Sequence, residues 1–287
     1  LEIKSSADFV RMTRGALAAA GFMRREVGGT VYFESAVGSR QSAVEPEGDA
    51  SAAADRRLPT ADSYVFVHGA NDQAGTWCMV APAVARTHRV ILLDLPGHGE
   101  SAPETGPLPI SLLVDRLEAV IDDAAPGERV TLVGNSLGGW ITLLYALAHP
   151  ERITRIVLES SGGLARPLSS PLTASTREEA FPILRAVHGP NYTPQEWVID
   201  ALLERASGSP MLRLTEVLEH DIEPRLGEIQ MPAMLIWGAD DGVLPLSYGE
   251  ALRDAIPNAV LHVIDGAAHI PHMQQPERFL QCLTATS

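Results

Sequence analysis

The sequence predicts an α/β fold: a mostly parallel central sheet with helices on both faces and one helical insertion. Three observations predict it. Short runs dense in valine, isoleucine and leucine recur at "YVFVHG" (64–69), "RVILLDLPG" (89–97), "RVTLVGNS" (129–136), "RIVLESSG" (155–162), "AMLIWGAD" (233–240) and "AVLHVIDG" (259–266). Helical segments separate most of them, and strands apolar on both faces that alternate with helices belong to a parallel sheet covered on both sides. The spacing breaks once, between Gly163 and Gln230, where no comparable strand occurs.

Taken in order, residues 5–20 have the spacing of an amphipathic helix, with Phe9, Met12, Ala16 and Leu17 on one side. "EVGGTVYFES" alternates around a Gly-Gly pair and reads as a hairpin. From Ala36 to Asp62 the chain is rich in Ala, Ser, Gly, Pro and charge without an apolar period, which predicts a long exposed loop closing an N-terminal segment over 1–62. The first part of the core then spans 63–163, and its second part 230–287. Between them, 164–229 is expected to form a helical cap with helices over 176–187, 194–206 and 210–219. A cap at the carboxyl edge of a sheet shapes a pocket. Its Phe181, Tyr192, Trp197 and Met211 are candidates for that pocket or for the cap's own core.

The bulk composition narrows the partners. A chain of 287 residues can bury a large core, and 45% hydrophobic with 20% charged residues is a globular composition. No apolar run is long enough to span a bilayer, which needs about 18 residues or more. A net charge of -14 with a pI near 5.0 argues against nucleic acid, whose binding depends on neutralising phosphates. A small, uncharged or weakly charged molecule is expected instead. The two cysteines, Cys78 and Cys282, support neither a disulfide framework nor a zinc site. Lys4, Asp8, Arg11 and Arg14 interrupt the apolar centre that a signal peptide needs, so a cytoplasmic location is expected. The start at Leu1 leaves a processed or cloned N-terminus open. Oligomeric state is not legible.

The chemistry centres on "GNSLGG", residues 134–139, which fits G-x-S-x-G and lies where a strand-like run becomes a helix-like one. A serine there is either a turn residue or a nucleophile on a strained strand-to-helix turn, with glycines removing side chains that would clash. A serine hydroxyl needs a base within hydrogen-bond reach and a third group to orient that base. "WGADDGVLP" and "GAAHIPH" supply candidates just past the carboxyl ends of strands, in the order Ser, Asp, His. The acids are Asp240 and Asp241, with Glu159 as a decoy on an earlier strand. The bases are His269 and His272, with His262 inside a strand run. A tetrahedral oxyanion needs donors fixed in advance. The amide of Leu137 opens the following helix, and Ala70 follows "FVHG", with Asn71 as its alternative. Asn71 and Asn135 are also candidate substrate contacts, and a backbone-turn role is the alternative for Asn135. His68 and Trp77 are expected to hold the oxyanion loop, and Asp94 and His98 to make local hydrogen bonds in a turn.

Five segments carry a resemblance to the α/β-hydrolase superfamily: "HGANDQAGTW" (68–77), "DLPGHGES" (94–101), "GNSLGG" (134–139), "WGADDGVLP" (237–245) and "GAAHIPHMQQPERF" (266–279). They cover the body from about 64 to 283. The resemblance implies Ser136 as nucleophile, Asp241 as acid by the pattern W-G-x-x-D-x-x-x-P that Pro245 closes, and His269 as base after a small residue. It implies no metal and no cofactor. Within the superfamily the chain is similar to small bacterial carboxylesterases and lipases with G-N-S-x-G-G, which implies an ester of a small to medium acyl chain as substrate. It is also similar to the C–C bond hydrolases of aromatic ring cleavage, notably in "ESSGGLARPL" and "RLGEIQMPAMLIWGADDGVLPL". Those enzymes often place an aromatic residue directly after the histidine, where this chain has Ile270. Their cap arginine has the candidates Arg166, Arg177, Arg185 and Arg213. A catalytically silent receptor on the same fold is the alternative of another class, and such proteins usually lose part of the triad, which is complete here.

Overall fold

Ten strands are present in a computed structural model that describes residues 3–35, 63–205, 208–217 and 219–285. In chain order they are β1 (Phe22–Val27), β2 (Thr30–Ser35), β3 (Ser63–Val67), β4 (Val90–Leu93), β5 (Leu108–Pro109), β6 (Val130–Asn135), β7 (Ile153–Glu159), β8 (Leu214–Thr215), β9 (Ala233–Gly238) and β10 (Ala259–Ile264). Eight form the central sheet in the order β1-β2-β4-β3-β6-β7-β9-β10. The six apolar runs supply its parallel part, and the expected hairpin is its antiparallel edge. Gly28 and Gly29 turn that hairpin at φ 55° and 82°, the left-handed pair that a tight primed turn requires. The loop expected over 36–62 lies outside the described residues.

Every residue of β3, β4, β6 and β9 is buried, because helices cover both faces of the sheet. Successive side chains point to opposite faces, so Val65 and Val67 join one apolar cluster and Phe66 the other. The first cluster is closed by α3 (Ile110–Ala124), α4 (Leu137–Ala148) and α7 (Leu246–Ala255) through Leu117, Ile141 and Leu252. The second is closed by α1 (Ser6–Ala19), the short α2 (Ala81–Val84) and α9 (Pro276–Thr284) through Leu17, Val84 and Phe279. A further short helix, α8 (Pro271–Gln274), precedes α9. No helix among the described residues is long and apolar enough to cross a membrane.

Between β7 and β9 the chain forms α5 (Arg177–His188) and α6 (Glu196–Glu204), near the helices expected over 176–187 and 194–206. Thr176 and Glu179 close a capping box at the start of α5. The helix expected over 210–219 is absent. Pro210 opens a 3₁₀ turn, Pro210–Arg213, and Leu214–Thr215 then pairs with Leu108–Pro109 as β8. Arg213 accounts for the difference: its guanidinium donates to the carbonyls of Pro103, Glu104 and Gly106 at 2.7–3.0 Å, which draws the segment out along the body.

The turn after β4 is organised by Asp94, which is fully buried. Its carboxylate accepts from the amides of Ala74 (2.7 Å) and Glu100 (2.9 Å) and pairs with the Arg14 guanidinium at 2.6 Å. His98 does make the local bond expected, Nδ1 lying 2.9 Å from the Pro96 carbonyl oxygen. Asp94 reaches further, tying α1 to the segment after β3. Removing one partner of a buried pair leaves the other charged and unsatisfied, at about 3–5 kcal/mol. Asp94→Ala is therefore expected to lower the unfolding free energy by about that much in urea titration, whereas Arg225→Ala, which breaks the exposed Arg225–Glu228 pair, has a far smaller effect.

Candidate active site

Ser136 is the single residue between β6 and α4, and its backbone is left-handed, with φ 53° and ψ -114°. A non-glycine residue holds that conformation only where its surroundings over-determine it. They do so here. The Ser136 amide donates to the Glu159 carbonyl at 3.0 Å, and the Ser136 carbonyl accepts from Gly139, Trp140 and Gly162 at 3.0–3.2 Å. A Cβ on Gly138 would collide with the carbonyls of Val67 and His68, so only glycine lets α4 start this close to β3.

Asp241 and His269 meet at the carboxyl edge of the sheet. His269 Nδ1 lies 3.0 Å from Asp241 Oδ2 and 3.1 Å from Oδ1, and Oδ1 also accepts from the amides of Val243 and Leu244 at 2.9 Å. Both residues are buried. With Nδ1 engaged by the carboxylate, Nε2 is the nitrogen left for a hydroxyl. Asp240 is exposed on the turn, and His262 lies in β10 opposite Ile236.

His272, the alternative base, does not line the cavity that holds Ser136 and His269. It is fully buried against Glu159, which is fully buried too. The Glu159 carboxylate accepts the His272 amide at 2.7 Å and lies 2.7 Å from Nδ1, while Nε2 lies 2.9 Å from Thr76 Oγ1. Trp77 packs on the imidazole with ring centroids 4.2 Å apart. A second carboxylate–imidazole–hydroxyl array thus lies inside the protein, tying the end of β7 to α8 and to the 3₁₀ turn Ala74–Met79. Glu159 is engaged there and not with His269. Thr76 has no signal in the sequence, since its partners come from segments far along the chain.

The loop after β3 runs beside the serine. A Cβ on Gly69 would lie 3.2 Å from that of Ser136 and 2.6 Å from Asn135 Oδ1. His68 holds the loop: its Nδ1 is 2.7 Å from the Gly69 carbonyl oxygen, and its Nε2 accepts the Leu95 amide at 3.0 Å, the neutral tautomer. Burial pushes the His68 pKa down, which favours that form. Ala70 lines one cavity with Ser136, and Leu137 opens α4 directly after it. Asn71 is engaged by the insertion, its carbonyl accepting Arg205 at 2.6 Å and its Oδ1 accepting Ser209 Oγ at 2.5 Å. Asn135 lines the cavity, but its side-chain nitrogen donates to the carbonyls of His269 (3.1 Å) and Glu159 (3.4 Å), so it braces the histidine loop.

Ser136 and His269 open on a cavity of about 420 Å³ beneath the insertion, within the range of small-molecule sites. Its wall is mostly apolar and includes Leu172, Ile183, Leu184, Val187, Val198 and Leu202. Tyr192 and Trp197 line it as anticipated; Phe181 and Met211 do not, Phe181 being turned to solvent. His188 also faces it, stacked on Tyr192, and burial pushes its pKa down to about 4, so the ring is neutral near pH 7. Arg166 pairs with Glu223, Arg177 with Asp200 and Glu196, Arg185 with the Tyr192 carbonyl and Arg213 with the carbonyls near β5; none of the four lines the cavity. Arg205 does, together with Asp72. No group of three or more His, Cys, Asp or Glu side chains among the described residues is arranged to hold a metal.

The insertion is bonded to both loops of the Asp–His pair. The last turn of α5 has carbonyls without helical partners. Ala186 accepts the Gly242 amide, Val187 the His269 amide and His188 the Gln274 side chain, at 2.8–3.0 Å.

The chain is similar to known proteins over most of its length. The model of the alpha/beta hydrolase family matches residues 64–281. A 2-hydroxy-6-oxononadienedioate/2-hydroxy-6-oxononatrienedioate hydrolase of Cupriavidus pinatubonensis is 30% identical over 76% of this chain and 84% of its own length. Among solved structures, a bacterial membrane phospholipase A superposes with a TM-score of 0.74 at 24% identity, covering 96% of this chain and 89% of that one. An N-acyl homoserine lactone degrading enzyme, Est816, does so with a TM-score of 0.65 at 25% identity, covering 91% and 98%.

Truncating Glu159 would strand the His272 amide and imidazole where water does not reach. Glu159→Ala is expected to lower unfolding free energy by about 3–5 kcal/mol, and Thr76→Val, which removes the hydroxyl that contacts His272 Nε2 and Met273 Sδ, by about 1 kcal/mol. Urea titration with tryptophan fluorescence as readout compares the two directly.

Proposed function

The chain belongs to the alpha/beta hydrolase family, and from that premise we propose that it hydrolyses carboxylic esters of small to medium, largely apolar acyl groups at Ser136. The observation that carries this reading is the buried Asp241–His269 pair beside a left-handed serine under an apolar cavity. Ser136 Oγ attacks the ester carbonyl as His269 Nε2 takes its proton. Asp241 holds the imidazole in position and stabilises the imidazolium that forms. The amides of Leu137 and Ala70 receive the negative oxygen, and fixed donors need no reorganisation as the charge develops. The intermediate collapses with loss of the alcohol, protonated by His269. Water, activated by the same nitrogen, then releases the acid. The segment 164–229 acts as a cap that covers the acyl group.

A second reading keeps the triad and changes the bond, to C–C hydrolysis of a vinylogous diketone. The relative from Cupriavidus pinatubonensis and the presence of Arg205 at the cavity favour it. The name of that relative describes a dicarboxylate substrate. Asp72 stands beside Arg205 in the lining, the rest of the described wall is mostly apolar, and the aliphatic Ile270 follows the histidine, which fits an uncharged acyl group better.

The test is hydrolysis of p-nitrophenyl esters from about two to sixteen carbons, alongside decay of a coloured ring-cleavage product, for wild type and Ser136→Ala. The ester reading expects turnover peaking at short or medium chains and a loss of about 10⁴-fold or more in kcat/KM for the variant. Decay of the ring-cleavage product with no ester turnover would replace it by the second reading.

A further inference from the structure

We infer that the N-terminal helix α1, which lies outside the part matched by the family, sets the length of acyl group the site accepts, through Phe9 and Val10. The inference rests on the ester reading for its substrate class. Three residues of α1, Ser6, Phe9 and Val10, line the same cavity as Ser136 and His269. The family match begins at residue 64, so this wall lies outside the matched body.

The inward stripe of α1 differs from the one expected, because Met12 and Ala16 are exposed while Thr13 is buried with Leu17, and it does two jobs. Ser6, Phe9, Val10, Thr13 and Leu17 follow the i, i+3, i+4, i+7 spacing of a single helix face. Its C-terminal half is fixed in the body: Leu17 is fully buried in the core, Thr13 accepts from Gln73 Nε2 at 3.2 Å, and neighbouring Arg14 pairs with Asp94 at 2.6 Å. Its N-terminal half, capped by Ser5, projects over the cavity. There Phe9 stacks on Trp197 of α6, with ring centroids 6.0 Å apart and planes 27° from parallel. The cavity is thus walled by the insertion on one side and by a rigidly mounted α1 on another. The Phe9 ring and the Val10 side chain occupy space that a longer acyl chain would need. A hydrophobic pocket discriminates a methylene by about 10-fold to 200-fold, so one aromatic side chain is enough to set a length limit.

The test compares wild type, Phe9→Ala, Val10→Trp and Met12→Ala, the last on the exposed side of α1, over the same ester series, with thermal unfolding as a check on folding. Phe9→Ala is expected to raise the ratio of kcat/KM on the longest to the shortest ester by about tenfold or more. Val10→Trp fills the space and is expected to lower that ratio, and Met12→Ala to leave it unchanged. Profiles of Phe9→Ala and Val10→Trp that overlay the wild type would overturn the inference. So would an equal change at every length, which would make α1 an entrance and not a ruler. Labelling of Ser136 by fluorophosphonates of increasing alkyl length gives the same ratio without ester turnover. If wild type hydrolyses no ester yet Phe9→Ala still gains on the long probe, the ester reading fails and the role of α1 stands.

Discussion

The left-handed backbone of Ser136 is the constraint that the surrounding structure is built to satisfy. A non-glycine residue held there stores about 1–3 kcal/mol, and nothing in its own side chain offsets it. The compensation is distributed: four backbone hydrogen bonds to Ser136, glycines at 134, 138 and 139 that admit neighbouring chain at van der Waals distance, and strands buried on both faces that cannot shift to relieve the strain. Packing at interior density makes such a position bistable at worst and fixed at best.

Glu159 shows how few residues join the parts of the site. Its carbonyl accepts the Ser136 amide and the Asn135 side chain, and its carboxylate accepts the His272 amide three residues beyond His269. Asn135 in turn donates to the His269 carbonyl. The Ser136 turn, the His269 loop and, through Thr76, the segment after β3 are therefore referred to one buried residue. A buried charge or polar group of this kind is costly unless every bond is made, and here each oxygen of the carboxylate has a partner.

The sequence displays the sheet because a strand buried on both faces must be apolar throughout, which is why "YVFVHG" and "AMLIWGAD" announce β3 and β9. It displays Ser136, Asp241 and His269 because their loops follow strand ends and have motif spacing. What it conceals depends on long-range partners. Leu214 pairs as a strand because Arg213 finds carbonyls over a hundred residues away, so local helical periodicity misleads at 210–219. The burial of His272 is matched by that of Glu159, and the arginine that lines the cavity among the described residues, Arg205, carries no pattern that separates it from Arg166 or Arg177. Pocket lining is a property of the assembled chain, and α1 contributes to it from the far end of the sequence.

The placement of α5 makes substrate binding and triad geometry one problem. The carbonyls that end this helix accept the amides of Gly242 and His269, so the insertion cannot lift from the body without breaking bonds to the residues beside and within the Asp–His pair. The same helix presents Ile183, Leu184 and Val187 to the cavity. Under the proposed ester reading, an acyl group that packs against those side chains would hold α5 where its terminal carbonyls keep the imidazole in register, and one that wedges it outward would strain the His269 loop. Binding energy from parts of the substrate remote from the carbonyl can in this way be converted into rate, since it is realised as orientation at the reacting centre. The opposite wall is formed by α6 and α1, which meet at the ring contact of Phe9 with Trp197. One wall of the cavity is thus bonded to the residues of the Asp–His pair while the other is anchored to the body through α1, which separates holding the imidazole from shaping the pocket.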